Sequence, residues 1–164
     1  MTHRIVIMGV SGCGKSSVGE GLAARLGIPY CDGDDLHPPA NVEKMRVGIP
    51  LTDDDRWPWL DRVAQVLATE APVIVGCSAL RRAYRDRLRE GAGGPVRFIH
   101  LTGSREVIAG RMAARTGHYM PSSLLDSQFA ALEVPAPDEA LAIDIDQPLD
   151  AIVTAAAEAL NHLR

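Results

Sequence analysis

Eight consecutive residues near the amino terminus constrain the possible folds of this chain more than any other segment. They are Gly9, Val10, Ser11, Gly12, Cys13, Gly14, Lys15 and Ser16, and they match the pattern G-x-x-x-x-G-K-[ST] at every fixed position. An apolar run, Arg4–Met8, enters this loop, and a segment with helical spacing, Lys15–Leu26, leaves it. The pattern therefore predicts a strand, a glycine-rich loop and a helix in direct succession, as at the start of an α/β domain.

The loop has the chemistry of a phosphate site. Its glycines let the backbone fold into a nest whose N–H groups point inward, and the following helix adds the positive end of its dipole. Lys15 can reach the β- and γ-phosphates of a nucleotide, and the Ser16 hydroxyl can ligate Mg²⁺. We therefore expect the loop to bind the phosphates of a nucleotide with Mg²⁺. The alternative is a glycine-rich turn that holds no ligand.

Short apolar runs alternate with segments of helical spacing along the whole chain. The runs cover residues 4–8, 29–31, 72–77, 96–101 and 141–145, and later helical segments cover 79–89, 104–115 and 149–163. Continuous apolar character is typical of strands that are buried on both faces. The order predicts one domain, residues 1–164, in which a five-stranded parallel sheet lies between two layers of helices.

The composition excludes several classes of protein. Of the 164 residues, 46% are hydrophobic and 23% are charged, which is typical of a folded globular domain. The net charge of -4 argues against a nucleic-acid-binding protein, and no apolar run approaches the roughly 20 residues that cross a bilayer. Three widely spaced cysteines, Cys13, Cys31 and Cys77, are expected to be reduced thiols. We therefore expect a cytoplasmic protein that acts on neither nucleic acids nor membranes.

Two carboxylates, Asp32 and Asp34, follow the second apolar run. Positions i and i+2 of an extended segment face the same side, and Gly33 between them permits a tight turn. If this strand neighbours the strand that enters the phosphate loop, Asp32 can serve the metal's water shell while Asp34 orients a substrate hydroxyl and accepts its proton. The alternative is an acidic turn that caps the next helix. The third run ends without the aspartate that is usual in hydrolysing ATPases and GTPases, which argues against those classes.

Further motifs carry a resemblance that covers nearly the whole chain. They occupy residues 32–38, 41–45, 48–60, 77–86, 111–118, 127–129 and 144–149. These segments resemble the gluconokinase family, of the thermoresistant type. The resemblance implies a P-loop kinase fold like that of nucleoside monophosphate and shikimate kinases, with a substrate-binding excursion at about 35–60 and a lid at about 112–137. It also implies ATP-dependent phosphorylation of D-gluconate at its 6-hydroxyl, to give 6-phosphogluconate and ADP, by a homodimer.

Four residues are candidates for binding gluconate, a polyol with one carboxylate. If a helix begins at residue 38, His37 and Lys44 lie on one of its faces together with Asn41. Arg56 and Arg81 are candidates for holding the carboxylate, because a guanidinium can bind both of its oxygens. Similarity to the shikimate kinases favours Arg56. For each of these four candidates, a solvent-exposed position without substrate contact is the alternative.

Two arginines, Arg111 and Arg115, lie one helical turn apart at the start of the expected lid. In related kinases a lid arginine neutralises charge on the transferred phosphoryl group, and we expect Arg111 to do so, with Arg115 as second choice. An exposed helix position is the alternative for both. Gln147 and Pro148 follow the last run, where such folds wrap the adenine. Together these residues predict in-line transfer in which Lys15, Mg²⁺ and Arg111 hold the γ-phosphate.

Two other functions compete with gluconate phosphorylation. A shikimate kinase has the same phosphate loop, but those enzymes place a glycine run where this chain has Cys77, Ser78 and Ala79. A non-catalytic nucleotide-binding regulator would need neither the paired carboxylates nor the lid arginines. A substrate panel with ATP separates these three possibilities.

Overall fold

A parallel sheet forms the centre of the structure, a computed structural model that describes residues 3–114 and 122–162. Within these residues the strands are β1 (Arg4–Met8), β2 (Tyr30–Asp32), β3 (Val73–Gly76), β4 (Arg97–Thr102) and β5 (Ala140–Asp144). They lie in the order β2-β3-β1-β4-β5, and each neighbouring pair is parallel. The predicted α/β class and five-stranded parallel sheet are therefore confirmed.

Helices connect the strands and cover both faces of the sheet. In chain order they are α1 (Lys15–Leu26), α2 (Pro39–Arg46), α3 (Asp53–Thr69), α4 (Arg82–Gly91), α5 (Arg105–Ala114), α6 (Ser122–Ala131) and α7 (Leu149–His162). A short 3-10 helix, Gly33–Leu36, follows β2. A capping box opens α3, since Thr52 accepts a hydrogen bond from the Asp55 N–H and donates its own N–H to the Asp55 carboxylate.

Strand β1 shows why the sheet needs a helical layer on each side. Successive side chains of a strand point to opposite faces. Ile5 and Ile7 pack into an apolar core with residues of α1, α5, α6 and α7, whereas Val6 and Met8 pack into a second core with α3 and α4. All four side chains are fully buried. The continuous apolar run in the sequence thus reflects burial on both faces, as predicted.

One sequence-based expectation about local structure was wrong: helix α4 begins at Arg82 and not at Ala79, whose φ of 46° lies outside the helical region. The sequence left open whether β2 lies beside β1, and the structure places β3 between them. The stretch expected as a lid contains a helix, α6, at Ser122–Ala131. Residues 115–121, including Arg115, lie outside the described residues.

No helix in the described residues is both long enough and apolar enough to span a membrane.

Candidate active site

A crevice opens at the carboxyl ends of β1 and β3. These strands are neighbours, but α1 follows β1 on one face of the sheet and α4 follows β3 on the other. In open parallel sheets such a divergence creates the ligand-binding crevice. The Gly9 N–H donates to the Ser78 carbonyl over 3.2 Å and joins the two loops at the bottom of this crevice.

The phosphate loop is held in shape by two close contacts. Gly9 has a φ of 148°, and a Cβ at this position would lie 2.8 Å from the Cys13 Sγ and 3.0 Å from the Leu101 carbonyl oxygen. Gly14 precedes α1 with a φ of 94°, and no side chain caps the exposed N–H groups of the helix. The backbone therefore presents its donors to an anion in the way that the sequence predicts.

Lys15 extends over the loop from the first turn of α1. Its Nζ donates to the carbonyl oxygens of Gly9 and Val10 over 3.0 and 3.2 Å. Cys13, beside it, is a buried thiol, and burial raises its pKa although Lys15 opposes the shift. The Cys13 thiol is therefore part of the buried packing of the loop, whereas the Lys15 ammonium group lies beside the loop backbone.

The second carboxylate motif reaches the same crevice even though β2 is not adjacent to β1. Asp32 ends β2 and accepts the Asp34 N–H over 3.0 Å, so it caps the 3-10 helix. Gly33 lies directly against β3, since a Cβ there would be 2.3 Å from the Gly76 carbonyl oxygen. This close approach carries Asp34 across β3 towards the phosphate loop, where the charge of Lys15 acts on it.

The electrostatic environment of Asp34 suits a proton acceptor. Burial raises its pKa, the negative charge of Asp32 adds to the effect, and Lys15 partly opposes it. Part of the Asp34 side chain still faces solvent, as access to a substrate requires. The alternative of a capping turn is thus realised at Asp32, whereas the role of Asp34 as a proton acceptor stays a prediction.

The residues at this end of the crevice fit Mg²⁺. The Ser16 hydroxyl and the Asp32 carboxylate are the hard oxygen ligands that Mg²⁺ prefers, and this ion usually adds phosphate oxygens and water to one or two protein ligands. The described residues contain no cluster of three or more His, Cys, Asp or Glu side chains that could hold a metal.

Tyr30 packs against two glycines next to the site. A Cβ at Gly19 would lie 2.2 Å from the Tyr30 ring, and a Cβ at Gly76 would lie 2.2 Å from the Tyr30 hydroxyl oxygen. This hydroxyl is buried and makes no hydrogen bond within the described residues. Burial raises the pKa of Tyr30 to about 12, with Ser16 opposing the shift, so the hydroxyl stays protonated.

The expected gluconate face on α2 is arranged differently from the prediction. Pro39 begins the helix, so His37 precedes it and stacks on Trp59 with ring centroids 4.1 Å apart. Asn41 donates from Nδ2 to His37 Nδ1 over 3.2 Å and to the Asp55 carbonyl over 2.9 Å, and Lys44 pairs with the Asp55 carboxylate at 2.8 Å. These contacts fix α2 against the start of α3.

The two candidate arginines differ in what they already bind. Arg56 donates to the Leu51 carbonyl over 2.9 Å and to the Tyr84 hydroxyl over 3.3 Å, and it lies 3.7 Å from Asp53. Arg81 is exposed, and its guanidinium makes no hydrogen bond or ion pair in the part of the chain that the structure describes. The guanidinium of Arg81 is therefore the more available of the two for a carboxylate.

The expected adenine segment lies against α5. The Arg111 guanidinium donates to the carbonyls of Ile145 and Gln147, and the Gln147 side chain donates to the Asp144 carbonyl over 2.6 Å. Pro148 follows at the entrance to α7. The structure thus brings Arg111, Gln147 and Pro148 together, whereas Arg115 lies outside the described residues.

Two residues next to the site were missed in the list of candidates. Gln128 on α6 forms two hydrogen bonds with Ser11 of the phosphate loop. Arg85 on α4 is buried and binds the Ala79 and Leu80 carbonyls, in the loop that follows β3. The signal for Gln128 was its position in the 127–129 motif, but no spacing rule connects it with a loop 117 residues away.

Comparisons with known proteins agree with this geometry. A family model described as an AAA domain matches residues 5–135. The gluconokinase of Gluconobacter oxydans (strain 621H) is 51% identical over 139 residues, which cover 82% of this chain and 78% of that protein. The thermoresistant gluconokinase of Escherichia coli (strain K12) is 44% identical over 165 residues, which cover 97% of this chain and 94% of that protein.

Solved structures give the same result. The crystal structure of a gluconokinase from Sinorhizobium meliloti 1021 superposes with a TM-score of 0.92 at 55% identity, and the match covers 98% of this chain and 93% of that one. A shikimate kinase from Bacteroides thetaiotaomicron has a TM-score of 0.65 at 17% identity, a likeness of fold alone. Since identity above 40% extends over more than four fifths of the chain, this chain belongs to the gluconokinase family of P-loop kinases.

Proposed function

We propose that this chain transfers the γ-phosphoryl group of ATP to the 6-hydroxyl of D-gluconate and releases 6-phosphogluconate and ADP. One observation carries the mechanism: the end of β3 and the loop after it contact both motifs, because the Gly9 N–H donates to the Ser78 carbonyl over 3.2 Å and a Cβ at Gly33 would lie 2.3 Å from the Gly76 carbonyl oxygen. A phosphate held by the loop can then meet an alcohol held at Asp34. Membership in the gluconokinase family supports gluconate as that alcohol.

The reaction needs one proton acceptor and several groups that hold charge. The 6-hydroxyl oxygen forms a bond to the γ-phosphorus as the bond to the β,γ-bridging oxygen breaks, and the hydroxyl proton passes to the Asp34 carboxylate. The loop N–H groups and Lys15 hold the transferred phosphoryl group. Mg²⁺, when bound by Ser16 and Asp32, supplies charge neutralisation between the phosphates.

On the substrate side, His37 is poised as a neutral donor. Burial and the positive charge of Arg56 lower its pKa to about 4, so the ring is neutral near pH 7. Since Nδ1 accepts from Asn41, the proton lies on Nε2, which can donate to a gluconate oxygen. Lys44 can contribute once gluconate competes with Asp55. Arg81 and Arg56 remain the candidates for the carboxylate, and the free guanidinium of Arg81 supports it as first choice.

On the nucleotide side, the proposed role of Arg111 requires its guanidinium to move from its position in the structure. In the structure its guanidinium lies against the carbonyls of Ile145 and Gln147, beside the segment proposed to hold the adenine. To neutralise the transferred phosphoryl group it must leave these carbonyls when ATP binds. We keep Arg111 in that role, with Arg115 as the second choice and Gln147 and Pro148 as backbone contacts of the base.

The proposal is tested first at Asp34. Asp34→Asn keeps the shape of the side chain but cannot accept the proton, so kcat should fall by about 10²- to 10⁴-fold. The affinity for ADP, measured by calorimetry, should stay within about threefold of the unaltered protein. Asp35→Asn, which changes the exposed neighbouring carboxylate, is the matched control. Undiminished turnover in Asp34→Asn would remove this residue from the mechanism.

A substrate panel tests the function itself. ADP release, followed in a coupled assay with ATP and Mg²⁺, should appear with gluconate and not with shikimate or nucleoside monophosphates. Release with shikimate would favour the competing kinase, and release with no acceptor would indicate a nucleotide hydrolase.

Three broader properties belong to the same proposal. The chain acts as one domain, residues 1–164, it forms a homodimer, and it works in the cytoplasm. The free thiols of Cys13, Cys31 and Cys77 support a reducing compartment. Light scattering of the purified protein at several concentrations measures the oligomeric state.

A further inference from the structure

A direct contact joins α6 to the phosphate loop. The Ser11 N–H donates to the Gln128 Oε1 over 2.6 Å, and the Gln128 Nε2 donates to the Ser11 Oγ over 2.8 Å. One side-chain amide thus binds both the backbone and the side chain of a single loop residue. Amides are suited to this, because the same group offers a donor and an acceptor.

The helix that presents Gln128 is itself fixed in place. Leu125 of α6 is buried in the same apolar core as Val10 and Cys13, which flank Ser11 in the loop. Just beyond α6, the Glu133 N–H donates to the Leu80 carbonyl over 2.8 Å. Helix α6 therefore contacts the loops on both sides of the crevice, and Gln128 projects from a firmly packed support.

The contact reaches Lys15 through one peptide group. The Ser11 N–H and the Val10 carbonyl belong to the same planar peptide, so fixing one end fixes the direction of the other. The Val10 carbonyl accepts a hydrogen bond from Lys15 Nζ over 3.2 Å. Gln128, the Val10–Ser11 peptide and Lys15 thus form a continuous chain of hydrogen bonds, in which each bond polarises the next.

We propose that Gln128 is a positioning residue for phosphoryl transfer, which orients the Val10–Ser11 peptide and through it the phosphate loop and Lys15. This inference rests on the proposed function, because it concerns the same site. On this proposal, α6 holds the phosphate loop in its binding conformation, so that a smaller loss of conformational entropy accompanies ATP binding.

The main test variant is Gln128→Met, which keeps the length of the side chain and removes both hydrogen bonds. We expect kcat/KM for ATP to fall by about 5- to 100-fold, as for the loss of two such bonds. The KM for gluconate should change less than twofold, and the midpoint of thermal unfolding should fall by no more than about 4–8 °C, since two part-buried hydrogen bonds are lost. Gln65→Met, at an exposed position on α3, is the control and should leave all these values unchanged.

Ser11→Ala provides a second variant that removes one of the two bonds. It should reduce kcat/KM for ATP less than Gln128→Met does. In the double variant, the fold-loss of kcat/KM for ATP should be smaller than the product of the two single losses, because both changes remove the same contact. A loss equal to the product of the two single losses would show that Gln128 and Ser11 act separately, and it would overturn the proposal.

Two further results would also overturn it. One is unaltered kcat and KM for ATP in Gln128→Met. The other is an equal rise in both KM values together with a larger fall in the unfolding temperature, which would show a role in stability alone. Calorimetry with ADP, without gluconate, should show weaker binding to Gln128→Met, so the inference can be judged even if gluconate proves not to be the substrate.

Discussion

Arg85 on α4 connects the fold to the active site through a buried network. Its side chain is 1% exposed and donates to the Glu139 carboxylate over 2.6 Å, to the Ala79 carbonyl over 2.8 Å and to the Glu133 carbonyl over 2.9 Å. Burial alone would raise the pKa of Glu139, but hydrogen bonds from Arg85 and Arg89 outweigh it and lower this pKa to about 2. We predict that Arg85→Met strongly destabilises the protein.

The expected loss in the free energy of unfolding follows from the groups that lose Arg85 as their hydrogen-bond donor. The Ala79 and Glu133 carbonyls would be left without the donor they have now, and each such loss costs about 1–3 kcal/mol. The Leu80 carbonyl keeps the Glu133 N–H at 2.8 Å, and Glu139 keeps Arg89 at 2.9 Å, which limits the total. Breaking a buried ion pair from one side costs about 3–5 kcal/mol, and we expect a value in this range.

The assay is urea denaturation at pH 7 with linear extrapolation of the free energy of unfolding. Arg87→Met is the control, since this residue lies on the same helix and pairs with Asp61 in solvent, with side chains 42% and 55% exposed. It should leave the midpoint nearly unchanged. A loss below about 1 kcal/mol in Arg85→Met would refute the reasoning, because the buried Ala79 carbonyl and the part-buried Glu133 carbonyl would then have lost their donor at little cost.

Further predictions concern pH and the gluconate carboxylate. Because the folded pKa of His37 is about 4 and its unfolded value is near 6.5, the unfolded chain binds the proton first, and stability falls as the pH drops from 6.5 to 4. The contribution is about 3 kcal/mol at most, and urea denaturation across this range should show a shallower fall in His37→Gln. Arg81→Ala should raise the KM for gluconate at least tenfold with the KM for ATP unchanged, and an unaltered value would exclude Arg81. Arg56→Ala should also lower the unfolding temperature, because it removes the hydrogen bonds to Leu51 and Tyr84.

The features that could be predicted from the sequence are those that depend on residues close together along the chain. The phosphate loop requires glycines at Gly9 and Gly14 because of close contacts and left-handed backbone, and a lysine at its end, so its sequence nearly specifies its shape. The capping box at Thr52 and the buried strand Arg4–Met8 are equally direct. Each depends on residues within about eight positions of one another, and for that reason composition and spacing suffice.

Contacts between distant segments could not be obtained in this way. Apolar runs do not specify which strands are neighbours, so the sequence left the position of β3 between β1 and β2 open. The bonds of Gln128 to Ser11 and of Arg85 to Ala79 depend on how α6 and α4 pack on the sheet. The same holds for Arg56, whose donors are engaged by Tyr84 from another helix.

The sequence by itself therefore determined the type of fold, the phosphate loop and the paired spacing of Asp32 and Asp34, because these are encoded in short motifs with fixed backbone requirements. Only the tertiary structure decided how the Asp32–Asp34 segment lies relative to the phosphate loop, how the pKa values of Asp34 and His37 shift, and which side chains contact the loop. Those properties arise from burial and from charges brought together by helices packed on the sheet, and they have no counterpart in local spacing.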